Sequence, residues 1–258
     1  MSLTNKWILI TGASSGFGEA AAIAFARQGA KLLLGARRVE RLEQVAAAAR
    51  QAGSPAAHVQ ALDVASTPSV NAFADFARQH TVQVDVLINT AGGAKGLDKV
   101  AEGKDDEWEF MMQTNVLGVL RVTRAVLPMM VNNAGSSIIN IGSIAGRTAY
   151  EGGSAYCAAK AGELQITRAL RLELCGTGVR VSTVDPGFAE TEFSLVRFKG
   201  DAAKAKKVYD GILPLTAEDI ADTLVWVASR PPHVCIDEMV IKPTDQAQVY
   251  KVHRRTAV

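Results

Sequence analysis

The sequence predicts an α/β fold in which a parallel sheet is buried between two layers of helices. Three observations point to it. Seven short apolar runs alternate with longer segments of helical period, as successive β-α-β crossovers require. Hydrophobic residues make up 48% of the chain but aromatics only 6%, which suits strands covered on both faces by small and branched side chains. The first apolar run also enters a glycine-rich turn that opens a helix, the setting in which such a turn can cradle a phosphate.

In chain order, the apolar runs predict strands at 7–10, 31–35, 58–62, 84–88, 137–141, 179–184 and 239–241. Periodic segments predict helices at 17–28, 39–51, 66–79, 106–131, 154–175 and 217–229. Ser66-Thr67-Pro68 reads as a helix start, and the acidic run Asp105-Asp106-Glu107 suits the positive end of a helix dipole. The segment 187–210 reads as a loop able to close over a site, with Gly200 and Gly211 as its limits. No repeat, linker or low-complexity stretch divides the 258 residues, so one domain is expected over 1–258.

Composition removes several function classes. A net charge of +2 gives no global attraction to nucleic acid. No apolar run approaches the ~18 residues of a membrane span, and the first residues lack the apolar stretch of a signal peptide. Cys157, Cys175 and Cys235 show neither disulfide-like pairing nor zinc-ligand spacing, so no metal is expected; reduced thiols in a cytoplasmic protein are.

The turn after the first strand reads Thr11-Gly12-Ala13-Ser14-Ser15-Gly16-Phe17-Gly18. Its glycines let the backbone approach a pyrophosphate, which the N-terminus of the next helix attracts; Ser14 and Ser15 add hydroxyl donors. About twenty residues on, where an acidic residue would bind the ribose hydroxyl of NAD, the chain has Ala36-Arg37-Arg38. Guanidinium groups there favour the 2′-phosphate of NADP over a reading as plain solvated residues. Leu62 and Asp63 close the third strand, and Asp63 either contacts an adenine or caps the next helix. Asn89-Thr90-Ala91-Gly92 ends the fourth strand, where glycine permits a ligand close to the backbone. Asn115 is a costly polar residue inside an apolar helix. It is either satisfied within the core or distorts the helix and frees a backbone group.

Tyr156 and Lys160 are four residues apart, so a helix puts them on one face. A nearby ammonium stabilises a phenolate and brings the phenol toward proton exchange near neutral pH. Ser143 can donate a second hydrogen bond to the same substrate oxygen. Tyr150 has Ser154 rather than lysine four residues on and is set aside.

Together the turn at 11–18, Asn89-Thr90-Ala91-Gly92, Asn115, Ser143, Tyr156-x-x-x-Lys160 and Asp185-Pro186-Gly187 resemble the short-chain dehydrogenase/reductase family, in its order and spacing. Thr90 departs from the asparagine the family often carries. The resemblance implies a doubly wound Rossmann fold, a seven-stranded parallel sheet of order 3-2-1-4-5-6-7. A cofactor-binding part would cover about 1–140 and a catalytic and substrate-loop part about 141–258. Tyr156 would be the general acid/base, with Lys160 lowering its pKa and binding the nicotinamide ribose. Ser143 would polarise the substrate oxygen, and Asn115 would hold a water that relays protons. Pro186, Gly187 and Thr191 would contact the nicotinamide, and a homotetramer would be built on helices near 108–131 and 154–175. The stretches at 35–38, 191–201, 214–221 and 243–247 resemble, within the family, NADP-dependent dehydrogenases of 3-hydroxy acids such as serine and allo-threonine. That substrate class needs a site for a carboxylate, and Arg147, Arg197 and Lys199 can supply one, Arg147 being preferred because its loop must border the site. The alternatives are a broad NADPH carbonyl reductase and a non-catalytic NADP-binding protein.

Overall fold

The computed structural model describes residues 1–131 and 133–255. Strands β1 (Trp7–Thr11), β2 (Lys31–Ala36), β3 (Ala57–Ala61), β4 (Val86–Asn89), β5 (Ser137–Ile141), β6 (Arg180–Pro186) and β7 (Glu238–Ile241) form one sheet, and every neighbouring pair is parallel. Their order is β3-β2-β1-β4-β5-β6-β7, as expected. The helices are α1 (Gly16–Arg27), α2 (Val39–Gln51), α3 (Thr67–His80), α4 (Asp105–Met112), α5 (Gly118–Val126), α6 (Ser154–Glu173), α7 (Glu192–Arg197), α8 (Ala202–Lys207) and α9 (Ala217–Ala228).

Alternation along each strand divides the core into two layers. Ile8, Ile10, Leu32, Leu34 and Ile88 face Phe25 of α1, Leu42 of α2 and Leu224 of α9. Leu9, Leu33 and Leu87, in register with one another, face Phe73 of α3, Val122 of α5 and Leu170 of α6. Both faces are therefore dry, as the apolar runs without polar alternation predict.

Two predicted elements differ. The helix expected over 106–131 is interrupted by a π-turn at Gln113–Leu117. Asn115 causes it: its Nδ2 donates to the carbonyl of Met111 at 2.8 Å, the group that the Asn115 backbone N–H would take in an unbroken helix. The segment expected to be a loop carries α7 and α8, each of six residues, capped by the side chains of Thr191 and Asp201.

The end of the sheet opposite the strand C-termini is fastened by buried charge. Asp85, just before β4, accepts from Lys6 Nζ at 2.9 Å, the Trp7 amide at 2.8 Å, Gln83 at 3.1 Å and Asn133 at 3.3 Å. Arg180, the first residue of β6, donates to the carbonyls of Gly135, Val227, Ala228, Arg230 and Val234 at 2.8–3.5 Å. Two of these carbonyls end α9, where the helix dipole is negative, so the guanidinium sits there without a carboxylate partner among the described residues. No helix among the described residues is long and apolar enough to cross a membrane.

Candidate active site

At the C-terminal ends of the strands lies a cavity of about 830 Å³, reached by every loop that the sequence marks. Its nucleotide end starts at the glycine turn. A Cβ on Gly18 would lie 2.5 Å from the Gly12 carbonyl, so only glycine lets α1 begin directly against the turn. Ser15 precedes α1 without capping it by its side chain, which leaves the first N–H groups open to an anion. The Ser15 hydroxyl instead accepts from Arg38 Nη2 at 2.7 Å.

Arg38 and Arg41 also hold the Glu192 carboxylate between them, at 2.8 and 2.9 Å. Their hydrogen bonds, that of Arg38 foremost, keep Glu192 below the usual carboxylate range despite some burial. Anionic oxygen thus already sits among these guanidinium groups, and a phosphate suits the same donors. Arg37 lines the same wall, with Gly16 and Phe17. Leu62 and Asp63 line the cavity beside them, and so do Ala91, Gly92, Pro186, Gly187 and Thr191. The open α1 terminus and this donor set fit a phosphorylated dinucleotide. Asp63 does not cap α3; Ser66 does, by accepting from the Ser69 amide. The Asp63 carboxylate closes the preceding turn through the Ala65 amide at 3.0 Å.

Asn89 requires a correction. It is not in the cavity wall but in the core, where its Nδ2 donates to Asn140 Oδ1 at 2.9 Å and Thr123 Oγ1 at 3.3 Å. The neighbouring Thr90 hydroxyl donates to the Thr11 carbonyl, tying the fourth strand to the glycine turn.

The reaction end is built where the loop after β5 meets α6. A Cβ on Gly146 would lie 2.7 Å from the Lys160 carbonyl, so glycine brings this loop against the helix backbone. Ser143 caps the short 3₁₀ turn Ile144–Gly146; its Oγ accepts from the Ala145 amide at 3.1 Å, leaving the hydroxyl proton to donate elsewhere. Ser143 and Tyr156 both line the cavity. Tyr156 is buried, with Phe193 of α7 against it at 5.6 Å between ring centroids.

Lys160 lies behind this wall. Its Nζ donates to the Ile141 carbonyl at 2.6 Å and to Glu163 Oε2 at 2.8 Å. Burial works against its charge, but Glu163 and then Tyr156 outweigh burial and raise its pKa above the ordinary lysine value. Asn115 is also behind the wall. Its side chain accepts from the Gly93 amide at 3.0 Å and donates to the Gly93 carbonyl at 2.9 Å, fixing the turn after β4.

The preference for Arg147 is corrected as well. Its Nε meets Asp185 at 2.5 Å and its Nη2 meets Glu238 at 2.6 Å, so its charge is already matched by two carboxylates, and it does not line the cavity. Lys199 pairs with Glu107 of α4. Arg197, from the last turn of α7, does line the cavity. It lies 5.5 Å from the ring centroids of both Tyr150 and Tyr156, donates through Nε to the Gly96 carbonyl at 3.0 Å, and has no carboxylate partner among the described residues. Tyr150, set aside in the sequence, shares this wall; burial pushes its phenol up to about 12, so it stays a neutral donor. Glu163 was missed, though its place three residues past Lys160 on one helix face was open to the same spacing argument. No cluster of three or more potential metal ligands occurs among the described residues.

The geometry can hold a dinucleotide at one end and present a phenol and a hydroxyl to a substrate oxygen at the other. Known proteins are similar to this chain over nearly its whole length. The NADP-dependent 3-hydroxy acid dehydrogenase of Schizosaccharomyces pombe is 42% identical over 256 residues, 99% of each chain. A sulfoacetaldehyde reductase of Chromohalobacter salexigens is 43% identical over 241 residues, 93% of this chain and 94% of that one. The closed form of a serine dehydrogenase complexed with NADP+ superposes with a TM-score of 0.89 at 39% identity, covering 96% of this chain and all of that one. The profile of the short chain dehydrogenases matches residues 6–201, and this protein therefore belongs to the short-chain dehydrogenase/reductase family of oxidoreductases.

Proposed function

We propose that this protein is an NADP-dependent oxidoreductase that interconverts the 3-hydroxyl and 3-oxo forms of a small 3-hydroxy acid. The observation that carries the substrate class is Arg197, a cavity-lining guanidinium 5.5 Å from the Tyr156 ring and without a carboxylate partner among the described residues. A carboxylate one or two carbons from the reacting carbon can pair with that cation while the substrate oxygen meets the phenol. The relatives named 3-hydroxy acid and serine dehydrogenases support the same reading. The cofactor assignment rests on the open N-terminus of α1 and on Arg37 and Arg38, donors suited to a 2′-phosphate.

The nicotinamide, when bound, supplies or takes up the hydride. The chain's own residues handle charge and protons. In the reducing direction negative charge grows on the substrate oxygen, and the Ser143 hydroxyl and Tyr156 phenol meet it; one such donor is worth ~3 kcal/mol. Tyr156 gives its proton to that oxygen, and takes one from the alcohol in the other direction. The Lys160 ammonium behind it favours the phenolate. Helix α7, with Val208 and Tyr209 after α8, lines the site and limits water, and the Lys199–Glu107 pair ties the link between α7 and α8 to α4.

A second reading is favoured by the sulfoacetaldehyde reductase relative: the anionic group is a sulfonate on an aldehyde, held by the same Arg197. A panel of L-serine, allo-threonine, 3-hydroxypropionate, sulfoacetaldehyde and neutral ketones, run with NADP and NAD, tests both. The carboxylate substrates are expected to lead with NADP, and Arg197→Met to lower their kcat/KM about 10²-fold while sparing neutral ketones. Equal use of NAD, or an equal loss on every substrate, rejects the assignment.

A further inference from the structure

The mechanism above uses Tyr156 and Lys160 but not the residue three positions further along α6. Residues 156, 160 and 163 form one stripe of the helix, at spacings of four and three. Glu163 is 1% exposed, and its Oε2 lies 2.8 Å from Lys160 Nζ. Its other oxygen is buried with no hydrogen-bond partner among the described residues. An ammonium has three donors, and here one goes to the Ile141 carbonyl and one to Glu163. A buried carboxylate with one orphaned oxygen is costly and finds its compensation in this one cation.

We propose that Glu163 is a positioning residue that shares the Lys160 charge and so sets the pH at which Tyr156 exchanges its proton with the substrate. The proposal rests on the acid/base reading of Tyr156 and deepens it. An ionised Glu163 cancels much of the ammonium field at the phenol and keeps the ammonium from swinging fully toward Tyr156. A neutral Glu163 leaves the whole cation to the phenolate. The remaining ionisable groups about the pair are few. Tyr156 is on the same helix and Asp185 comes from β6; beyond Asp185 stand Arg147, on the loop after β5, and Glu238 of β7. Asp185 is bound by Arg147 and by the Thr183 hydroxyl, so the Lys160 ammonium has Glu163 as its direct anionic partner. Burial, opposed by Lys160, raises the Glu163 carboxyl to about 7, which puts its change of charge near neutral pH. The Glu163 charge thus reaches the phenol through the Lys160 ammonium that both groups flank along one helix face.

The test needs neither cofactor nor substrate. Tyrosinate absorbance is followed with pH in the parent, in Glu163→Gln and in Glu163→Asp, each minus its own Tyr156→Phe counterpart, which isolates the Tyr156 titration. Glu163→Gln keeps shape and removes charge, and its Tyr156 midpoint is expected about one unit lower, a tenfold change in the ionisation constant. The acidic limb of kcat/KM for the oxidation, where Tyr156 must be ionised to act as base, moves by the same amount with KM nearly constant, which a merely structural role does not produce. A Glu163→Gln midpoint equal to or above the parent's overturns the proposal. If Glu163→Gln does not fold, Glu163→Asp, whose carboxylate is drawn back from the ammonium, must lower the midpoint by a smaller step, and coincidence with the parent overturns it. Failure of every anionic substrate would reject the substrate reading and leave this titration untouched.

Discussion

Glu238 of β7 accepts from Arg168 at 2.7 and 3.2 Å and from Arg147 at 2.6 Å. The Arg168 hydrogen bonds first, and those of Arg147 next, hold its carboxyl down at about 2 against an ordinary 4.5. The sign follows from linkage: a folded pKa below the unfolded one gives stability that is complete above 4.5 and lost as the pH falls from there toward 2. Glu238→Gln is thus expected to lower the Tm at pH 7 and to flatten its fall between pH 5 and pH 2.5, measured by circular dichroism. A parallel fall in both proteins would reject this role. The same residue explains why the sequence preferred an arginine that the structure pairs with carboxylates. Arg147 and Arg197 both read from the sequence as basic residues on loops near the site, and local pattern treats them alike. What separates them is tertiary: Asp185, 38 residues further on, and Glu238, 91 residues further on, fold back onto Arg147. Tyr156 and Lys160 were legible because their relation is local, fixed by the period of one helix.

The π-turn shows the same division between local and distant causes at the scale of an element. An asparagine in an apolar helix signals a defect, but its kind depends on Gly93, 22 residues earlier, whose amide and carbonyl both bind the Asn115 side chain. Asn115→Ala would strip partners from the Met111 carbonyl and from both Gly93 groups at a site that is 1% exposed. The expected cost is about 2–4 kcal/mol in urea unfolding, together with lost turnover as the turn after β4 drifts. A variant with parent stability would show that the helix heals without the side chain. Helices α7 and α8 escaped the sequence reading for a different reason. Six residues hold fewer than two turns, too few for a hydrophobic period to stand out, and what defines them is their caps, Thr191 and Asp201.

At the scale of the molecule the order of strands was legible only through resemblance; periodicity showed alternation of strands and helices, not their neighbours. Helices α4 to α6 leave Met112, Leu117, Leu120 and Leu172 exposed, on the segments expected to join subunits. A homotetramer is expected by light scattering, and Leu120→Asp with Leu172→Asp is expected to split it; an unchanged mass would exclude this surface. The two ends of the sheet are held differently. At one end Arg180 gathers the carbonyls of the chain before β5, of α9 and of the loop after α9, while Asp85 gathers Lys6, Gln83 and Asn133. At the other end the walls of the cavity are mostly loops, with the short helix α7. The protein is thus a floor held by buried charge under a roof held by partly exposed ion pairs of Arg38, Arg41 and Lys199, and ligand binding is expected to add order to the roof. Amide exchange at the start of β6 should proceed through global unfolding alone, and NADP should slow exchange across 192–211 while leaving the floor unchanged.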